Sequence, residues 1–126
     1  MIQEAYCSKE VSKLLKEKGF DELCKYLYKN NGERYTLAST CYQNICDDGE
    51  CLCPTHQMAM AWLRENHNIC IIIEPHQYDY INEKNASYIC SLWQGDNYHE
   101  YIESKDFPSY EEAVEAALKY ILENLI

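Results

Sequence analysis

Apolar positions along this chain follow two periods, and the period changes wherever turn residues cluster. Val11, Leu14 and Leu15 recur at helical spacing behind Ser8 and stop before Gly19, which predicts a first helix capped at Ser8. Leu23 to Tyr28 and Arg34 to Leu37 flank Asn30-Asn31-Gly32, the pattern of a hairpin whose turn needs positive φ, with a helix over Asp21 to Lys29 as the alternative. From Ala38 to Cys53 neither period survives, and the stretch reads as a loop. Pro54-Thr55 opens a second helix, capped at Thr55 and running to about Asn66. Met58 to Leu63 are consecutive apolar residues, so this helix is expected to be the best buried, with Trp62 inside and Arg64 at the rim.

The second half changes to strand patterns. Ile69 to Ile73 is a β-branched run broken only by Cys70, as expected for a strand covered on both faces. Pro75 predicts a stop or bulge before Tyr78 to Ile81 resumes, and Asn82 to Asn85 is a polar turn. Ser87 to Trp93 alternates, with Tyr88, Cys90 and Leu92 on one side and Ile89, Ser91 and Trp93 on the other. Gly95-Asp96-Asn97 turns the chain into a third strand, Tyr98 to Glu103. Ser109 and Glu112 form a capping box ahead of a broad stripe of Val114, Ala117, Leu118, Ile121, Leu122 and Leu125. No linker or repeat divides residues 1–126. The expected fold is a single α+β domain, an antiparallel sheet packed with helices, in the order helix, hairpin, loop, helix, three strands, helix.

Charge narrows the functional classes. Eleven Lys/Arg against 21 Asp/Glu leave −10. Residues 1–73 hold 8 and 10, residues 74–126 hold 3 and 11, so the second half carries −8 of it. Such a surface repels phosphate and argues against groove-tracking nucleic-acid binding. Lys9, Lys13 and Lys16 share one side of the first helix and read as a solvated face. No apolar run is long enough to span a bilayer, and the N-terminal MIQEAYCSKE has no signal-peptide pattern, so a cytoplasmic protein without a membrane partner is expected.

Three stretches resemble, together and in order, small proteins encoded in Bacteroides-type genomes, often within phage or other mobile elements. They are Val11-Ser-Lys-Leu-Leu-Lys-Glu-Lys-Gly-Phe20, Pro54-Thr-His-Gln-Met-Ala-Met-Ala-Trp-Leu-Arg-Glu-Asn-His-Asn-Ile69 and Ser109-Tyr-Glu-Glu-Ala-Val-Glu-Ala-Ala117, about a third of the chain. The resemblance implies a genomic setting and no mechanism. The order helix, three strands, helix is also similar to that of double-stranded-RNA-binding domains. Those place lysines where this chain has Glu111, Glu112 and Glu115, so the likeness implies topology without that function. The closing strands and acidic helix are similar, locally, to those of HicB-type antitoxins.

Two constellations could carry chemistry. Cys41, Cys46, Cys51, Cys53 and His56 fall within sixteen residues, and four of them could close a structural zinc site, although paired C-x2-C knuckles are missing. Eight cysteines without a secretion signal are otherwise expected to be free thiols. Cys53, close to a helix start and to His56, has two features that favour thiolate. His67, His76 and His99 could join Glu74 or Glu100 in a metal or acid–base site, but nothing in their spacing fixes them together. P-loop, GxGxxG, HExxH and GxSxG motifs are absent from the sequence.

Twelve tyrosines complete the picture. Those on strands, left exposed beside acidic residues, would form an interface. The expectation is therefore a non-enzymatic interaction or accessory domain without a cofactor. Its surface would include Tyr78, Tyr80, Tyr98, Tyr101, Glu111 and Glu115, and would meet a basic protein or a second copy. A small zinc-stabilised domain is the alternative.

Overall fold

The computed structural model describes residues 2–41, 49–77 and 87–126, and of 35, 37–41 and 77 the backbone alone. Three helices and two antiparallel sheets follow in the expected order. Helix α1 spans Lys9–Glu17, and Ser8 Oγ accepts the Val11 amide at 3.1 Å. Strands β1 (Cys24–Tyr28) and β2 (Arg34–Cys41) form the hairpin, turned by Gly32 at φ +87°. Strand β3 (Cys51–Cys53) pairs with the other edge of β1, giving the sheet order β2-β1-β3. The loop expected from Ala38 to Cys53 is thus corrected at both ends, which belong to β2 and β3. Pairing partners supplied by β1 decide this, where local polarity argued otherwise.

Helix α2 (His56–His67) is capped by Thr55 Oγ1, which accepts the Met58 amide at 3.0 Å. It ends at Asn68, whose left-handed φ of 55° reverses the chain into β4 (Ile69–Gln77). The Asn68 carbonyl accepts the Gly95 amide at 3.0 Å and so ties this reversal to the next turn. Strand β5 (Ser87–Gln94) pairs with β4 and with β6 (Asn97–His99). Pro75 lies inside β4, and the pairing slips between Pro75 and Gln77, so the expected bulge is present. The third strand is shorter than expected: a 3₁₀ turn at Ile102–Ser104 follows it. Tyr78 to Ile81 and the turn at Asn82 to Asn85 lie outside the described residues.

Helix α3 (Tyr110–Asn124) closes the fold. Ser109 Oγ accepts the Glu112 amide at 3.1 Å, and Glu112 returns to the Ser109 hydroxyl. Ala113, Val114, Ala117, Leu118, Ile121 and Leu122 are all fully buried, against α1, α2 and the second sheet. Each of the larger ones contributes about 1.5–3 kcal/mol of burial. Helix α2 buries His56, Ala59, Met60, Trp62 and Leu63, with Met60 and Trp62 keeping 7 % of their surface. Trp62 does point inward, edge-on to Phe20, and Arg64 is exposed.

The N-terminal segment is sewn to the start of α2. Cys7 N–H donates to Pro54 O at 3.0 Å and His56 N–H to Ala5 O at 2.9 Å. His56 Nε2 meets Glu115 Oε2 at 2.7 Å, and Glu115 Oε1 accepts the Ser8 amide at 2.9 Å. One carboxylate on α3 therefore fixes the starts of both other helices. Burial pushes the Glu115 carboxyl up, but the hydrogen bonds from His56 and Ser8 outweigh it and hold the group below the usual glutamate range.

Candidate functional site on the outer face of the second sheet

Alternation along β4 and β5 divides the second sheet into two unlike faces. Ile69, Cys90 and Leu92 point into the core and are buried. Cys70, Ile72 and Glu74 of β4 share the other face with Ile89, Ser91 and Trp93 of β5 and Tyr98 of β6. Among the described residues no helix covers this side at its far end: Trp93 is 44 % and Tyr98 45 % exposed, and their rings meet at 5.0 Å. Cys70, paired with Trp93, is exposed, and Ile72 and Ile89 are half-buried. The expectation that Ile69 to Ile73 is covered on both faces is corrected here. A run of β-branched residues fits a strand, and only neighbouring elements decide whether its second face is covered.

The opposite end of the same face holds a polar cluster. Asp106 Oδ2 lies 2.6 Å from His76 Nδ1 and accepts Ser87 Oγ at 2.9 Å, while Asp106 Oδ1 accepts Tyr101 OH at 2.7 Å. The bonds from His76, Tyr101 and Ser87 hold the Asp106 carboxyl below the usual aspartate range. Donation to Asp106 pushes the Tyr101 phenol up. Tyr101, Glu103 and Ser104 all adopt positive φ, at 51°, 62° and 48°. Such backbone costs about 1–3 kcal/mol per residue. It is held by buried Ile102, by the Tyr101 N–H bond to Ser91 Oγ at 3.3 Å and by the Asp106 cluster.

His76 thus finds its carboxylate thirty residues away, and neither Glu74 nor Glu100 supplies it. His67 stacks edge-on against Trp62, and His99 bonds Gln94 Oε1 at 3.2 Å, so the three histidines do not converge. No sequence spacing announced Asp106. The strained turn that presents it has neither Gly nor Asn at its positive-φ positions, so the usual signal was missing.

The predicted surface residues divide. Tyr98 and Tyr101 lie on this outer face, whereas Glu111 is exposed at the first turn of α3 and Glu115 is turned to His56 and Ser8. Tyr78 and Tyr80 lie outside the described residues.

The cysteine cluster is only partly described, since Cys46 and the Cys41 side chain lie outside the described residues. Cys51 and Cys53 are buried in β3, and Cys53 Sγ meets the Cys7 carbonyl at 3.5 Å. His56 is engaged by Glu115. Among the described residues no three His, Cys, Asp or Glu side chains gather as a metal site would require. The two sequence features that favour thiolate at Cys53 do not prevail: burial pushes the thiol up, and hydrogen bonds from Tyr28 and Arg34 only partly offset this. Among the described residues no helix is long and apolar enough to cross a membrane.

Compared with protein-family models, curated proteins and solved structures, the chain matches none.

Proposed function

We propose that this chain is a non-enzymatic accessory domain of a phage or mobile element that binds a basic protein on the outer face of its second sheet. The exposed Trp93–Tyr98 pair carries this reading. Aromatic anchors dominate interface energetics, and Cys70, Ile72 and Ile89 extend the apolar surface around them. Glu74 on the same face and the −8 of residues 74–126 favour a cationic partner and oppose a second, equally acidic copy. The resemblance of residues 11–20, 54–69 and 109–117 to mobile-element proteins supports the setting. At the polar end, Ser87, Tyr101 and Asp106 satisfy one another, which supports a bracing role for the cluster over a catalytic one.

The test is capture from a host lysate with the natural chain and with W93A/Y98A, followed by rebinding of each purified candidate at low and high salt. A basic protein whose rebinding weakens with salt and falls about 30-fold in the variant supports the proposal; that ratio corresponds to about 2 kcal/mol. Equal rebinding by the variant, or a dimer that the same substitutions dissociate, overturns it.

A further inference from the structure

The lysines of α1 do not form the simple solvated face that their spacing suggested. Lys9 and Lys16 are half-buried, and each is tethered to a backbone carbonyl across a gap in the fold. Lys9 Nζ donates to Asn30 O at 2.8 Å in the β1–β2 hairpin, and Lys16 Nζ to Glu50 O at 2.7 Å at the entry to β3. Lys13, between them on the helix, is exposed and has no hydrogen-bond or ion-pair partner among the described residues. The three line a cavity of about 510 Å³ between α1, the hairpin turn and the start of β3, with Cys51 also in its wall.

All three ammonium groups act on the Cys51 thiol, drawing it down against a larger upward push from burial. Their charges therefore converge on one place. A carbonyl tether uses one N–H of an ammonium and leaves two donors and the whole charge. Glu17 and Glu50 share the lining, so among the described residues three cations face two carboxylates inside a chain of −10. Like charges lining one cavity repel, and an anion with several acceptor oxygens would relieve them. The volume lies within the range of about 300–1,000 Å³ usual for small-molecule sites, so a bare ion would leave much of it unfilled.

We propose that this cavity binds the monophosphate ester of a small hydroxylated molecule, with the phosphate on Lys9, Lys13 and Lys16. The hydroxyl groups of the ligand face the carboxylate of Glu17. A sugar phosphate and a mononucleotide share this chemistry. Nucleic acid is disfavoured by the overall charge.

Calorimetric titration of the full chain with ribose 5-phosphate, adenosine monophosphate, ribose and inorganic phosphate tests the site. Either ester should bind, ribose should not, and inorganic phosphate should bind more weakly than the ester. The tighter of the two esters identifies the source of the phosphate. Lys13→Ala removes an exposed side chain that has no partner among the described residues, so it should leave the fold intact by circular dichroism and weaken the ester about tenfold or more. Absence of binding by both esters overturns the proposal, as does unchanged affinity in K13A. Inorganic phosphate binding as well as the esters also overturns it, marking an adventitious ion only. So does a length-dependent, steeply salt-sensitive affinity for an oligonucleotide. Asp47 and Asp48 precede Gly49 in the sequence, and esters that bind D47N/D48N but not the natural chain would overturn it too.

Discussion

Strand β3 of the first sheet and strand β4 of the second meet opposite fates. In the first, Cys51, Leu52 and Cys53 are consecutive and all buried, because β1 flanks the strand and the N-terminal segment and α1 pack around it. In the second, β4 has a far more hydrophobic sequence, Ile-Cys-Ile-Ile-Ile, yet Cys70 is exposed and Ile71, Ile72 and Ile73 are only half-buried. Hydrophobicity of a strand therefore does not rank its burial here. What ranks it is the number of elements stacked on it, and among the described residues helices cover just one side of the second sheet. An apolar face left open beside an exposed tryptophan is the surface a partner would use.

Truncation should give the widest contrast between the sheets. Leu52→Ala is expected to cost about 2–5 kcal/mol in denaturant unfolding, since it opens a cavity in the core. Ile72→Ala should cost clearly less, because its site is half-open to water. Equal losses would mean that the second sheet is covered in solution, by a partner copy or by residues outside those described.

A smaller effect is expected where α3 joins the other helices. Glu115→Ala leaves His56 Nε2 and the Ser8 amide without their acceptor, at a cost of about 1–3 kcal/mol. The same carboxyl gives a pH signature. Its folded pKa lies below the unfolded value of about 4.3, so its contribution is complete above that pH and is lost as pH falls towards the folded value. Acid unfolding of the natural chain should therefore be steeper below about pH 4.3 than that of the variant. Parallel curves would show that Glu115 does not couple the helices.

The smallest perturbation is chemical. Iodoacetamide on the folded protein should label Cys70 while Cys7, Cys51, Cys53 and Cys90 stay protected, and the Tm should barely move. Burial holds the protected thiols in the neutral form, that of Cys90 at a pKa of about 11. Labelling at Cys51 or Cys53 at the Cys70 rate would erase the difference between β3 and β4.

Much of the secondary structure was legible because local chemistry sets it. The caps at Ser8, Thr55 and Ser109 lie where hydroxyl side chains precede helical periodicity, and Asn31-Gly32 turned the first hairpin. Strand β3 was not legible, because three residues have no period and take their conformation from β1. Asp106 was invisible for a related reason. Its partners His76, Ser87 and Tyr101 come from three separate stretches of chain. The lysines of α1 were legible as a side of a helix, but the carbonyls of Asn30 and Glu50 that tether two of them come from the fold.

The sequence by itself determined the element order, the helix ends, the alternation of β5 and the charge asymmetry. These depend on nearest neighbours, on period and on composition, all of which act within a few residues. Only the tertiary structure decided which face of β4 stays open, which thiols are buried and which lysines surround a cavity. Each of those depends on what packs opposite a residue, and that partner lies tens of residues away along the chain.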